Sequence, residues 1–435
     1  MSTGALAGIA APAGWKWRDL WSVAPRVKEM GSPELPPLSV YLEAGVVPRN
    51  SRSDNHNQLG EDLSRYLVVQ PNDIVFNKLR TWQGGFGMSK FEGIVSPAYF
   101  VCRPAGQSTS RFLHYLLRSN PYLAELKRIS KWMPPSQFDI PWDMLRKLPL
   151  LLPPTDEQRR VADFLDAETA RIDRSIAAAI KGRNLLDERR WGTVHALSAG
   201  VETPGPRLHT GLGWIKEIPE HWRLVPLKFV ASLGSGHTPS RRKPEYWESC
   251  TIPWISLFDV GRMRDVRQTE LVTTQQTISE LGVANSSANL HPAGTVVLSR
   301  TASVGFSTIM GVDMAVSQHF VTWTCGKRIV PMYLLMLLRS MRQYFESVQV
   351  GTTNVTVFMP DLYAIKIPLP PVPEQHQIVK RIQEETSRID VLAERFDRQL
   401  VLLKERRQAL ITAAVTGQFD VSTASGRNVT DGVTV

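Results

Sequence analysis

PPTDEQRRVADFLDAETARIDRSI, beginning at Pro153, returns as PPVPEQHQIVKRIQEETSRIDVLA beginning at Pro370. Both passages carry Pro-Pro, then Glu-Gln, then Glu-Thr-x-Arg-Ile-Asp. The register is gapless at 217 residues, from Glu157 to Glu374 and from Asp173 to Asp390. It persists at Glu188-Arg-Arg190 against Glu405-Arg-Arg407, and at Gly200 against Gly417. Solenoid repeats recur every ~20–50 residues. A period this long instead describes two copies of one half-chain, each a globular block followed by a long helix. Such internal two-fold pseudo-symmetry suits a partner or ligand that is itself bipartite.

The prolines at 153 and 154 exclude helix, so the first long helix starts after Pro154. Thr155 or Asp156 is the expected N-cap, and Glu157 in the first turn suits the helix dipole. The helix runs to about Ala199, before Gly200, on the order of 65 Å at 1.5 Å per residue. Its apolar positions include Val161, Leu165, Ile172, Ile176, Leu186 and Leu197. The second copy shows the seam more clearly: Ile378, Ile382, Ile389, Leu392, Phe396, Leu400, Leu403, Leu410 and Ala414. Those three–four spacings demand a partner helix. The repeat itself is the cheapest partner, giving an intramolecular antiparallel coiled coil; packing on the globular blocks is the alternative.

The blocks repeat more faintly. Pro12-Ala-Gly-Trp15 opens the first and Pro219-Glu-His-Trp222 the second, while Leu116-Leu-Arg-Ser119 matches Leu337-Leu-Arg-Ser340. Around these the copies differ almost completely, as two binding domains of different specificity would. Leu67-Val-Val, Asp73-Ile-Val-Phe and Tyr99-Phe-Val-Cys read as strands in the first block, and Arg111–Arg118 as helix. Thr251-Ile-Pro-Trp-Ile-Ser, Thr295-Val-Val-Leu-Ser and Phe320-Val-Thr-Trp read as strands in the second. The fold class is therefore α+β: two mixed, strand-rich domains and two long helices in a pseudo-two-fold repeat. The expected division is 1–152 and 201–369 for the domains (the latter including a Gly/Pro linker), 153–200 and 370–419 for the helices, and 420–435 for a disordered tail.

A chain of 435 residues with 43% hydrophobic and 21% charged residues is ordinary for a globular protein and large enough for a sizeable core. The net charge of +10 favours a polyanionic partner. Cys102, Cys250 and Cys325 are far apart, so neither a disulfide framework nor a zinc site is indicated, and reduced, buried thiols are expected. The N-terminus has no basic region or apolar stretch of signal-peptide length, and there is no run of ~18 apolar residues to span a membrane. The expected location is cytoplasmic.

No catalytic constellation stands out. Gly326-Lys327 lacks the rest of a phosphate loop, Gly234-Ser-Gly236 reads as a turn, and no GxSxG or HExxH is present. Asp361 with Lys366 is only half of a nuclease-like metal site, and His56 sits in a polar loop. The polar clusters instead suit DNA. In the first block these are Arg49, Asn50, Arg52 and Asn55, then Lys78, Arg80, Trp82 and Gln83. In the second they are Thr238, Ser240, Arg241, Arg242 and Lys243, then Arg262 and Arg264, Arg300 and Thr301, and Gln318. Arg and Lys neutralise phosphates, while Arg, Asn and Gln can read guanine and adenine edges. Each cluster alone could be a solvated loop; their recurrence at corresponding places in both copies favours DNA.

PPxxEQ followed by E-T-x-R-I-D, and a helix ending in ERRQALITAAVTG, resemble the repeated regions of specificity (S) subunits of type I restriction–modification systems. Trp214-Ile-Lys-Glu-Ile-Pro-Glu-His-Trp222, Gly236-His-Thr-Pro-Ser240 and Ile252-Pro-Trp-Ile-Ser256 are similar to the same family. The resemblance runs from about Trp15 to Phe419. It implies two target-recognition domains, each reading one half of a split double-stranded DNA site, with the helices as spacer and docking element. It further implies a non-catalytic subunit that docks modification (M) subunits, usually two, and restriction (R) subunits. S-adenosylmethionine, ATP and magnesium would belong to those partners, with no cofactor or metal in this chain. The first block lacks the full Trp-Ile-Lys-Glu-Ile-Pro-Glu-His-Trp string, so its N-terminal edge is expected to be built differently. The competing readings are a stand-alone DNA methylation or restriction enzyme with an unrecognised active site, and a coiled-coil scaffold that does not bind DNA.

Overall fold

The computed structural model describes residues 4–42, 44–51, 60, 62–133, 137–351 and 355–421. The tail expected to be disordered lies outside these from residue 422 onward. Two compact units emerge: Met1–Ala179 with Arg398–Val435, and Ile180–Asp397. Each long helix, Thr155–Ser198 and Val372–Val415, is 44 residues long and contributes one part to each unit.

Each unit closes its block with the same device. In the first, Lys16–Asp19 pairs antiparallel with Pro149–Leu152, which leads into the first long helix. In the second, Arg223–Pro226 pairs antiparallel with Lys366–Leu369, which leads into the second. The residue before each opening strand is a buried tryptophan. Trp15 donates its indole N–H to Glu157 at 3.1 Å, and Trp222 donates to Glu374 at 2.9 Å. Glu157 thus serves as an acceptor for a distant side chain as well as favouring the helix dipole. The second unit adds a hairpin, Arg207–His209 with Glu217–Pro219, whose second strand lies in the string that the first copy lacks.

The main sheet of the first unit is antiparallel, in the order Arg26–Val27, Tyr99–Cys102, Ile74–Asn77, Phe86–Met88. Helices Gln107–Arg118 and Asn120–Ile129 pack on it through Phe112, Leu113, Leu116 and Leu126. The corresponding sheet of the second unit has five strands: Ala231–Ser235, Phe320–Cys325, Val296–Ser299, Ser307–Met310 and Glu270–Leu271. Helix Pro331–Ser340 packs on it through Leu334, Leu335 and Leu338.

The two long helices run antiparallel. In the second unit Arg183 meets Asp397 at 3.2 Å and Arg190 meets Asp390; in the first, Arg407 meets Asp173 at 2.9 Å. Asp173 and Asp390 are repeat equivalents, as are Arg190 and Arg407. The Asp of each copy therefore pairs with the Arg of the other. Gly182 makes room for the Phe396 ring, which lies 2.7 Å from where a Cβ would be. The ends of the helices are built into the globular cores as well. Val194, Leu197, Ile378 and Ile382 join the second core, and Val161, Leu165, Leu410 and Val415 the first. Helix pairing and packing on the blocks, set against each other as alternatives, thus both occur.

Both helices end alike. Gly200 (φ +65°) and Gly417 (φ +70°) adopt the left-handed conformation, and the residues after them, Val201 and Gln418, donate back to Ala196 and Ala413. This is the Schellman arrangement, which glycine permits. Pro219 and Trp222 crowd Gly200, while Pro12 crowds Gly417.

Several expectations are corrected. The first helix begins at Thr155 itself, so Pro154 rather than Thr155 or Asp156 precedes it, and its carbonyl accepts from Glu157 and Gln158. The fixed φ of proline allows a helix to start directly after it. Leu392 is 44% exposed and Ala393 takes its place in the seam, because the period of a real helix drifts from strict three–four spacing. Gly234 lies within the strand Ala231–Ser235 instead of a turn, and a Cβ there would meet Thr322 and His291. Only Cys102 of the three free thiols is fully buried.

Candidate nucleic-acid interface

The register of each main sheet brings polar loops to one edge. In the second unit Ser235 lies opposite Val321, and Ser299 opposite Phe320. The ends of Ala231–Ser235 and Val296–Ser299 therefore meet the start of Phe320–Cys325. The segments 236–243, 300–306 and 317–319 all spring from that edge. Thr238 donates its hydroxyl to the Gln318 side chain, and Thr301 bonds His319 Nδ1. The backbone N–H of Arg300 donates to the His319 carbonyl at 2.9 Å, and its side-chain Nε is buried without a protein partner. Burial, and then the Arg300 charge, lower the His319 pKa, so this imidazole is neutral at physiological pH. Thr238, Gln318, Arg300 and Thr301 thus form one cluster.

Farther along the same loop, the Arg241 guanidinium stacks on Trp247 at 3.6 Å from the ring centroid and donates to Gln276 at 3.2 Å. The Ser240 carbonyl accepts the Trp247 indole N–H, and the Ser240 hydroxyl accepts the Arg242 backbone N–H. Lys243 donates to the Tyr246 hydroxyl at 3.0 Å, while Arg242 is exposed. Planar guanidinium on indole fixes a cation in place while leaving donors free. Arg262 is held elsewhere in the unit, on the Thr273 carbonyl at 2.7 Å, whereas Arg264 reaches the edge loop, donating to Ser303 at 3.2 Å over Phe306.

In the first unit Asn77 lies opposite Tyr99, which makes the topologically equivalent edge. Asn77 reaches the Tyr99 hydroxyl at 3.4 Å. Burial raises the Tyr99 pKa, the nearby Arg49 and Arg80 charges oppose that shift, and the hydroxyls of Tyr41 and Tyr66 reinforce it. The charges of Arg49 and Arg80, from separate loops, therefore both act on one phenol. Asn50 and Gln83 are exposed. Lys78 is tied to Asp139 at 3.0 Å, and Trp82 packs on Phe138 at 4.6 Å with Lys127 above it. These two do not join the Tyr99 group. Arg52, Asn55 and His56 lie outside the described residues. Asn77 and His319 flank the expected polar clusters, whereas Tyr99 belongs to the edge but was not among the expected site residues. The signal available was its position at a strand end flanking the polar loops.

Among the described residues no three His, Cys, Asp or Glu side chains converge as a metal site, and no helix is long and apolar enough to cross a membrane.

The family described as Type I restriction modification DNA specificity domain matches residues 219–396. The type I restriction enzyme MjaIX specificity subunit of Methanocaldococcus jannaschii is 27% identical over 166 residues, covering 38% of each chain. The EcoR124I/EcoR124II specificity subunit of Escherichia coli is 25% identical over 191 residues, 42% of this chain and 46% of the relative. The chain thus spans less than half the length of these two relatives. A putative MjaX specificity subunit of M. jannaschii is 22% identical over 377 residues, 83% of this chain and 82% of the relative. A solved chain from work on complex assembly and conformational transition of the type I R-M system shares the fold, with a TM-score of 0.67 at 20% identity over 94% of this chain and all of that one. The family match on the second repeat and the shared fold across both make the chain similar to the specificity subunits of type I restriction–modification systems.

Proposed function

We propose that this chain is the sequence-reading, non-catalytic subunit of a type I restriction–modification complex. Each unit reads one half of a bipartite double-stranded DNA site. The observation that carries this reading is the equivalent sheet edge in each unit, furnished with unlike polar side chains on a duplicated frame. Shared frames give the two units one docking geometry, and unlike edges give them different base contacts. Arg49, Asn50, Arg80, Gln83, Thr238, Arg241, Arg300, Thr301 and Gln318 are the proposed DNA-facing residues, with Arg242 and Lys243 on phosphates. Lys78, Trp82, Ser240, Arg262 and Arg264 support the loops.

Two modification subunits dock on the long helices and supply S-adenosylmethionine chemistry at adenine, and restriction subunits supply ATP- and magnesium-dependent cleavage. Val391, Leu392, Val401 and Leu402 of the second helix, each at least 44% exposed, are apolar positions open to such docking. Half-sites read from one side of B-DNA lie about one helical turn apart, ~34–36 Å. The helices then act as the ruler, so inserting four residues near Ala178 lengthens the spacer of the recognised sequence.

Single-molecule methylation sequencing of DNA from cells expressing the chain with its methyltransferase tests the reading. A two-part motif with a fixed spacer is expected. Methyl transfer by the purified chain alone, from labelled S-adenosylmethionine, would instead make it an enzyme. Absence of any salt-sensitive gel shift by the assembled complex would leave only a scaffold.

A further inference from the structure

Arg118 and Arg339 occupy equivalent places in the repeated Leu-Leu-Arg-Ser passage, 221 residues apart. Each guanidinium is turned inward onto backbone carbonyls. Arg118 donates to Leu42 at 3.1 Å, Gly84 at 3.4 Å and Phe86 at 2.9 Å. Arg339 donates to Val266 at 2.6 Å, Gln268 at 2.8 Å and Ser307 at 3.1 Å. Phe86 and Ser307 are themselves equivalents. Each is the first residue of the strand that follows the polar loop at the sheet edge. Two residues earlier stand Gly84 and Gly305, both at φ +90°, a conformation that strains other residues. Gly84, Phe86 and Arg118 therefore map onto Gly305, Ser307 and Arg339 at one offset.

The second segment that each arginine holds differs between the copies. Arg118 takes the Leu42 carbonyl, just past the strand Leu38–Tyr41, whose hairpin leads to Arg49 and Asn50. Arg339 takes carbonyls just beyond Arg262 and Arg264. In both units, then, one planar fork ties the exit of the edge loop to a second segment, which in the first unit leads to the candidate DNA contacts Arg49 and Asn50 and in the second follows the loop-supporting Arg262 and Arg264.

Among the described residues neither guanidinium has a carboxylate partner. Burial lowers the pKa of each to about 10, with Arg407 adding to the effect on Arg118 and Arg190 to that on Arg339. Both therefore stay charged at neutral pH. A buried charge is costly, and an apolar side chain of similar volume is often neutral or stabilising in its place. Packing alone does not call for arginine here twice. A rigid fork that spans two backbone segments does.

We propose that Arg118 and Arg339 are positioning residues for DNA readout, each setting the edge loop of its own unit, 78–85 or 300–306, in the geometry that reads bases. This rests on the DNA-reading function proposed above. Lysine keeps the charge but loses the planar fork, so Arg339→Lys loosens the loop while the core stays filled. Gly305→Ala perturbs the same loop from its other side and leaves the helix intact.

The test uses the full chain assembled with its methyltransferase, reading methylation sites by single-molecule sequencing and melting temperature in parallel. For Arg339→Lys and Gly305→Ala, the preference for cognate over near-cognate sites should fall about 10-fold or more at the second half-site only. The first half-site and the spacer should be unchanged. Arg118→Lys should do the reverse. Retention of the wild-type motif in all three variants overturns the proposal. So does an equal fall at cognate and near-cognate sites, which is the signature of lost stability, or relaxation of both half-sites by one variant. A wild-type complex that methylates no two-part sequence overturns the underlying function, and the positioning role with it.

Discussion

Trp222 and Glu374 are joined by an indole N–H to carboxylate hydrogen bond of 2.9 Å, across 152 positions of sequence. The tryptophan is 2% exposed, and the same carboxylate also meets His221 at 3.0 Å. The bond pins the first turn of the second long helix to the strand that opens its block. Trp15 and Glu157 do the same for the other unit.

Trp222→Phe keeps the aromatic filling and deletes the donor. It should destabilise the second unit by about 1.5–3 kcal/mol, the range for a bond to a charged acceptor. Hydrogen exchange should show lost protection in Arg223–Pro226 and Lys366–Leu369. An unchanged melting temperature together with unchanged exchange would refute the pinning role.

The reciprocal ion pairs should differ in strength. Arg190 and Asp390 are 12% and 25% exposed, whereas Arg407 and Asp173 are 34% and 51% exposed. Double-mutant cycles should give a coupling of about 1 kcal/mol or more for the first pair and less than ~0.5 kcal/mol for the second. Asp390→Arg should be destabilising alone and be rescued in part by Arg190→Asp. Added salt should weaken the Arg407–Asp173 coupling first.

Arg241→Ala removes both the stacking on Trp247 and the bond to Gln276. It should disturb recognition of the second half-site and leave the first intact, as should Arg300→Ala. Methylation sequencing decides the matter. If affinity falls equally for all sequences, these arginines contact phosphates and carry no base information.

His114 accepts the Met88 backbone N–H at Nδ1. Burial first, then the Arg118, Arg407 and Lys90 charges, push its pKa down to about 3. Unfolded, it titrates near 6.5. Between those values the unfolded state binds the extra proton, so stability falls as pH drops below about 6.5, by up to about 1.4 kcal/mol per pH unit. Above 6.5 this residue contributes no pH dependence. His114→Gln should flatten that acid limb in melting experiments; an identical slope in the variant would show that other groups control it.

The long helices were legible because their seam repeats over many turns and because the same passage occurs twice. Strands such as Leu67–Val69 and Tyr99–Cys102 were legible as short β-branched and aromatic runs between turn residues. The candidate site was only half legible. Sequence shows that Lys78 and Arg80 share a polar loop, but not that Asp139 captures the first while the second stands near Tyr99. Likewise it shows three cations in 241–243, but not that Trp247 lies beneath one of them. Such sorting depends on partners far away along the chain. Leu392 illustrates the same limit within a helix, where one residue of drift turns a seam position outward. The inward turn of Arg118 and Arg339 had no local signal either, since arginine between apolar residues and serine reads equally well as a solvated helix end.

Because Asp173 answers to Arg407 and Asp390 to Arg190, each copy of the helical passage is proofread by the other. The loops at the sheet edges have no such internal correspondent. Within this one molecule the scaffold thus carries the same contact twice, made reciprocally, while the edge loops of the two units carry unlike side chains.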